Sequence, residues 1–145
     1  MTVTLQEITE QTLRSILDLQ VSEAQKDFVA PNAVSIAQAH FSKNAWFRAI
    51  YADDTPVGFV MIYVDQDEPV YFVWRSMIDE QQQKKSYGKQ AMQLVVEHVR
   101  GLPNAAELLI SYVPGEGSPA AFYEKCGFVE TGKLHGDEKE MKLTL

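Results

Sequence analysis

Apolar residues recur through the middle of the chain with the period of one helical face: Ala91, Met92, Val95, Val96 and Val99 fall at i, i+1, i+4, i+5 and i+8. The spacing predicts a helix from Ala91 onward. Before it, the pattern changes to β-type runs. "VTLQEIT" alternates like a short strand, and "AWFRAIYA", "VGFVMIYV" and "VYFVWRSMI" are rich in β-branched and aromatic residues. The last three are separated by the turn signals "DDTP" and "DQDEP", so they are expected to pair as antiparallel hairpins. Between the first strand and these three, "EQTLRSILDLQV" carries Leu13, Ile16, Leu17 and Leu19 at near-helical spacing. "VAPN" then breaks the chain before a second short helix, "AVSIAQAHF".

After the central helix, "ELLISYV" reads as a buried strand. Strand, helix and strand in succession imply a right-handed βαβ crossover with parallel strands. "SPAAFYEKCGF" is a short helix with Pro119 near its start and Gly127 at its end. "FVETGKL" and "EKEMKLTL" close the chain as strands. The order β-α-α-β-β-β-α-β-α-β-β predicts an α/β fold: a mixed, mostly antiparallel sheet with a central βαβ crossover and helices on both faces.

The turn entering the central helix carries Lys84, Lys85 and Lys89. A helix N-terminus is the positive end of the macrodipole and favours carboxylates, not cations. The turn lies at the carboxyl end of a central strand, where α/β folds place anionic ligands. Free backbone N–H groups favour a phosphate there, and a bound pyrophosphate would offset the lysines' repulsion. Gly88 would let backbone and ligand approach closely. The competing account is that the lysines are solvated and Ser86 caps the helix. There is no Gly-x-Gly-x-x-Gly and no Gly-Lys-Ser/Thr pair.

Composition narrows the class. A chain of 145 residues that is 46% hydrophobic and 23% charged is expected to build one domain, residues 1–145, with a real core. No apolar run reaches the ~18–20 residues of a membrane span. "MTVTLQEITE" lacks the basic and apolar regions of a signal peptide, and the single Cys126 allows no internal disulfide. Together these point to a cytoplasmic protein without a membrane partner. A net charge of −7 argues against nucleic acid as a partner. It is compatible with a cationic substrate, although most acidic surfaces are merely solvated.

"QKKSYG", residues 83–88, resembles the acyl-CoA-binding turn, Gln/Arg-x-x-Gly-x-Gly/Ala, of the GNAT superfamily of N-acetyltransferases. "AFYEKCGF" followed by "VETG" resembles that family's next motif, a helix with a tyrosine four residues before a Gly-Phe pair. The resemblance covers essentially the whole chain. "LDLQVSEAQKDFV", "GFVMIYV" and "MIDEQQQ" further resemble the bacterial spermine/spermidine (diamine) acetyltransferases. The resemblance implies acetyl-CoA as cosubstrate, with the turn formed by Gln83, Lys84, Lys85, Ser86, Tyr87, Gly88 and Lys89 holding its pyrophosphate. Ser86 stands where the family usually has its first glycine, Lys84 where another is common, and Gly88 matches the second. The backbone of Met77 and Ile78 would pair with the pantetheine arm, with Glu116 and Ser118 on its other side. Glu116 stands where many members carry asparagine, and Pro119 where many carry alanine. Tyr123 matches the tyrosine facing the departing sulfur. On the acceptor side, Glu23 and Asp27, four apart, would share a face if the first helix continues through them. There they could hold a distal ammonium while Gln25, Phe28 and Trp74 shape a channel.

Acetyl transfer to an amine needs a neutral nucleophile, a donor for the developing oxyanion and a proton for the thiolate. A backbone N–H around Met77 and the Tyr123 phenol are the candidates for the last two. The base is open: Trp74 is a donor only, which leaves Glu116, an acid of the C-terminal tail, or a water chain. Cys126 is expected to pack and not to act as a nucleophile. His40, His98 and His135 show no metal-ligand spacing, so no metal is expected. The acids Asp53, Asp54, Asp65, Asp67 and Glu68 belong to turns. The leading expectation is an N-acetyltransferase of a polyamine or diamine acting by direct attack. The alternatives are another small amine, an antibiotic or a protein amino group as acceptor, or a non-catalytic acyl-CoA sensor. Pairing of two copies as a homodimer stays open.

Overall fold

Val57 to Ile62 form the longest apolar run in the sheet because their strand, β3 (Thr55–Asp65), is covered on both faces. Val57, Val60 and Ile62 enter the larger of two core clusters. Phe59 and Met61 point the other way, into a smaller one, as the period-2 alternation of a strand requires over residues 59–62. Val57 falls out of that phase because the register with the preceding strand shifts between Ile50 and Tyr51 and skips it. The computed structural model describes residues 1–145. Its other elements are β1 (Val3–Gln6), α1 (Leu13–Leu17), α2 (Asn32–His40), β2 (Ala45–Ala52), β4 (Val70–Ile78), α3 (Tyr87–Arg100), β5 (Glu107–Tyr112), α4 (Ala120–Lys125), β6 (Val129–His135) and β7 (Glu138–Thr144). One seven-stranded sheet runs β1-β2-β3-β4-β5-β7-β6. All neighbours are antiparallel except β4 and β5, which α3 connects as the crossover predicted from the sequence.

The larger core lies under α3 and α4 and contains Tyr87, Ala91, Met92, Val95, Val96, Val99 and Tyr123. The smaller lies under α1 and α2 and contains Ile16 and Met77. The α3 face explains why the lysines at its start are tolerated. Fully burying one aliphatic side chain is worth ~1.5–3 kcal/mol, and Val95 and Val99 are both 0% exposed. An unfavourable exposed charge at a helix end costs only ~0.3–1 kcal/mol.

The first helix is shorter than its apolar pattern suggests. It ends at Leu17, and Glu23–Gln25 form a separate single turn of 3₁₀ helix. The expected common helical face of Glu23 and Asp27 therefore does not exist. Glu23 instead pairs with Lys26 at 2.6 Å on the surface. No helix is long and apolar enough to cross a membrane.

Two irregularities interrupt the pairing of β4. Arg75 pairs with Met61 and Val73 with Ile62 on β3, leaving Trp74 as the extra residue of a β-bulge. On its other side β4 pairs with β5 only at Phe72–Leu109 and Val73–Ile110. Beyond Val73 the two parallel strands separate, and residues 74–78 of β4 have no strand partner on that side.

Candidate active site

The split between β4 and β5 is the floor of a cleft of about 1120 Å³. Its walls are the start of α3, the first turn of α4 and the 21–31 segment linking α1 to α2. The phase of β4 decides which backbone groups face it. Asp79 N–H donates to Val57 O at 2.8 Å, and Ile78 lies opposite Gly58. Antiparallel strands alternate hydrogen-bonded and non-hydrogen-bonded pairs, so Arg75 and Met77 turn their N–H and C=O to β3. Ser76 and Ile78 turn theirs to the cleft. The expectation that Met77 and Ile78 both offer their backbone is thus corrected to Ser76 and Ile78. The Met77 side chain lies in the smaller core, where its Sδ accepts from Asn32 Nδ2 at 3.7 Å.

At the mouth, Asp79 caps the 3₁₀ turn Glu80–Gln82. Gln83 Nε2 then donates to Ile78 O (3.0 Å) and to Gln25 Oε1 (2.7 Å). One side chain thereby ties the α3 turn to the end of β4 and to the 21–31 segment. Lys84 and Ser86 have φ of 65° and 66°, in the left-handed region normally reserved for glycine. These are the positions where the GNAT turn favours glycine, so the turn keeps the conformation although the residue types have changed. Ser86 makes no side-chain cap bond, and the first turn of α3 holds no acid. The capping account of Ser86 is therefore excluded. The first intrahelical bond runs from Gln90 N to Ser86 O, which leaves the N–H groups of residues 87–89 without intrahelical partners. Alternating backbone handedness of this kind builds an anion-binding concavity. Lys84 and Lys89 flank it on the cleft wall, while Lys85 turns to Gln82 Oε1 at 3.1 Å.

Gly88 sits between this turn and α4. A Cβ there would lie 3.2 Å from Phe122 Cζ and 3.5 Å from Ile78 Cγ1. Its small size serves the packing of α4 as well as access to the turn. Tyr123, next along α4, is buried against Phe128 and lines the cleft. Burial, with smaller contributions from the charges of Cys126 and Glu138, pushes its phenol up to about 12.

Of the predicted acceptor residues, Gln25, Asp27, Phe28 and Trp74 line the cleft and Glu23 does not. Ser118 is on the wall; Glu116 is exposed and off it. Three cleft residues were not singled out in the sequence. Arg75 donates to Trp74 O (2.9 Å) and Gln38 Oε1 (3.3 Å), while its Nε is buried without a partner. Burial lowers the Arg75 pKa, against the charge of Glu138. Ser111 and Glu138 meet across β5 and β7, Oγ to Oε1 at 2.8 Å. Only the general expectation of an acid from the C-terminal tail pointed toward Glu138.

Cys126 is half-buried, and burial raises its thiol pKa, so the thiolate that a nucleophile needs is disfavoured. Cys126→Ala should keep turnover within about threefold of the parent, the margin of an ordinary packing change. Complete loss of turnover in a folded variant would require an acyl-cysteine route. No cluster of three potential metal ligands is present.

A sheet split at its one parallel pair, with an anion-binding helix start beside the split, is the arrangement implied by the resemblance of residues 83–88 to an acyl-CoA-binding turn. A model of the Acetyltransferase (GNAT) family matches residues 12–128, and the chain belongs to that family: it is an acetyl-CoA-dependent N-acetyltransferase. It is 27% identical to the spermine/spermidine N(1)-acetyltransferase of Bacillus subtilis, over 92% of each chain. The fold resembles a spermidine N-acetyltransferase from Vibrio cholerae solved with CoA and spermine (TM-score 0.73, 17% identity, 98% and 95% of the two chains). It also resembles the aminoglycoside acetyltransferase AAC(6')-Ib in complex with coenzyme A (TM-score 0.79, 17% identity, 99% and 95%).

Proposed function

We propose that residues 1–145 act as one cytoplasmic acetyltransferase domain whose acceptor is a primary amine of a polyamine or diamine, such as spermidine or spermine, acetylated by direct attack. The observation that carries the acceptor is the likeness to the Bacillus spermine/spermidine enzyme over nearly the whole of both chains. Acidic groups on the cleft wall, Asp27 and Glu138, are consistent with a cationic ligand. So is the net charge of −7.

Acetyl-CoA supplies the activated acyl group. The chain's own residues would divide the remaining work. The N–H groups opening α3, with Lys84 and Lys89, hold the pyrophosphate. The β4 edge, through the N–H and C=O of Ser76 and the N–H of Ile78 (whose carbonyl is taken by Gln83), aligns the pantetheine arm by strand-like pairing. One of those two N–H groups would donate to the thioester carbonyl oxygen as charge develops on it. The Tyr123 phenol donates to the departing sulfur. On the far side of the split, Trp74 and Phe28 flank the methylene chain of the acceptor, and Asp27 receives its distal ammonium.

Arg75 favours a second reading. Its buried, unpartnered Nε would be satisfied by an acceptor that carries a carboxylate beside its amine. The two readings separate in one experiment, kcat/KM for a panel of spermine, spermidine, putrescine, monoamines of equal length and amino-acid amines. A distal cation held by a carboxylate is expected to confer about tenfold or more, since a charged hydrogen bond is worth ~1.5–3 kcal/mol. KM for the polyamine should rise with salt as the exposed charges are screened. Equal kcat/KM for spermidine and a monoamine of the same length would defeat the polyamine assignment. A preference for the carboxylate-bearing amines would establish the second reading.

A further inference from the structure

The two sides of the split are chemically unlike, and the sheet register shows which residues lie on which. Ile110 and Tyr112 of β5 point into the larger core with α3 and α4. Ser111, between them, therefore points to the other face. Glu138 reaches the same face, because its Oε1 accepts from Ser111 Oγ at 2.8 Å. Across the split, the bulge turns both Trp74 and Arg75 to this face. Trp74 packs into the smaller core, and Arg75 reaches Gln38 on α2. Tyr123 belongs to the larger core, on the opposite face. An acyl group lying in the split would thus have a phenol on one side and a carboxylate on the other.

Glu138 also keeps one carboxylate oxygen free of partners. None of the chain's three ion pairs involves it. It is half-buried on the cleft wall, and its one hydrogen bond leaves the second carboxylate oxygen open. Its charge is felt by both Arg75 and Tyr123, which places it within electrostatic reach of the two flanks.

We propose that Glu138 is the proton acceptor of the transfer: its carboxylate receives the incoming ammonium and takes the proton that the nitrogen releases as it attacks the thioester carbonyl, with Ser111 fixing the carboxylate's orientation. The proposal rests on the acetyl-transfer reaction but not on a polyamine acceptor.

Protons and bonds balance over one turnover. The ammonium gives one proton through Glu138 to water and becomes the neutral amine. The N–C bond forms and the C–S bond breaks. The nitrogen, made acidic by bond formation, gives its second proton to Glu138. The thiolate takes a proton from the Tyr123 phenol, which regains one from the Glu138 carboxyl through water. Each turn releases one amide, one thiol and one proton. Of the other ionisable groups, Arg75 from β4 and Lys26 and Asp27 from the 21–31 segment line the same cleft, while Glu140 with His135, Lys142 and Glu107 share this face further along the sheet. Glu140 is held by His135 Nε2 at 2.8 Å and Thr131 Oγ1 at 2.7 Å, so that acid already has partners.

The test is the pH profile of Glu138→Gln from pH 7 to 10, using whichever amine of the panel the parent enzyme turns over best. That choice keeps a failure of the polyamine reading separate from a failure of this one. The expected result is a kcat about 10²–10⁴ lower at pH 7, with CoA affinity by calorimetry unchanged. The deficit should narrow as pH rises, because a primary amine near ~10.4 is increasingly neutral and hydroxide increasingly available. Glu138→Asp should recover part of the rate, and Ser111→Ala should lose less than Glu138→Gln. Parental kcat at pH 7 in Glu138→Gln would overturn the proposal. A deficit equal at every pH, or one that tracks a loss of CoA affinity, would also overturn it, since either marks an architectural role.

Discussion

Tyr123→Phe should lower kcat by about 10²–10³ while CoA binds as in the parent. The ring is packed against Phe128 and beside Phe122, and Phe preserves that packing, so the loss isolates the hydroxyl. General acid catalysis contributes ~10²–10⁴. The lower part of that range is expected because burial holds the phenol at about 12, well above a thiol, whose class titrates near ~8.5. Full transfer to a thiolate therefore runs uphill, and much of the effect is a hydrogen bond to sulfur as charge develops there. The raised pKa also fixes the pH dependence. A phenol loses its proton as pH rises, and a pKa pushed upward delays that loss. The parent kcat should consequently show no fall from this group below about pH 10. A Tyr123→Phe enzyme with parental turnover, when the chemical step limits the rate, would leave Tyr123 as a packing residue only.

Features carried by local pattern were legible in the sequence. The apolar stripe of α3, the two hairpins joining β2, β3 and β4, and the Pro119–Gly127 bounds of the α4 segment follow from short-range periodicity and turn chemistry. The structure departs from the local pattern where a longer-range constraint decides. Leu19 extends the apolar spacing of α1, yet the helix stops at Leu17. Gln20 N–H instead bonds to Asp79 Oδ1 at 2.9 Å, drawing the segment to the end of β4 and separating Glu23 from Asp27.

Met77 and Ile78 do not face the cleft as a pair. Two adjacent residues cannot both turn their backbone to one edge, and the phase is set by Val57, some twenty positions earlier in the chain. Trp74 and Arg75 share a face only because of a bulge, which no periodicity announces. Glu138 is brought to the split by the pairing of β7 with β5, a tertiary event with no local signal. At Ser86 a local signal points to the competing account and tertiary structure overrides it. Serine before a helix is a capping signal, but here the turn forces it into left-handed backbone where its hydroxyl caps nothing.

Gly88→Val should abolish measurable acetyl-CoA binding, a loss of about a hundredfold or more, without unfolding the protein. The backbone itself allows the change, since Gly88 is not among the residues with positive φ. Space is what forbids it. The Cβ alone would sit 3.2 Å from Phe122 Cζ, a contact the ring can relieve by a shift of a few tenths of an ångström. The two additional carbons of valine have two exits: into Phe122 and Ile78, or over the free N–H groups at the start of α3. The first moves α4, and with it Tyr123. The second covers the donors that a pyrophosphate would use. Either exit is costly for the ligand, because displaced or covered N–H groups forgo hydrogen bonds to a charged partner worth ~1.5–3 kcal/mol apiece. Two such bonds account for a hundredfold or more. The fold tolerates the strain because α3 remains anchored by Val95, Val96 and Val99, all buried well below the turn. Gly88→Ala is the graded control: its single carbon needs only the small ring shift, and binding should weaken by about tenfold or less. Calorimetry of acetyl-CoA against both variants, with circular dichroism to show retained structure, makes the comparison. An unchanged affinity in a folded Gly88→Val protein would remove the start of α3 from the cosubstrate site.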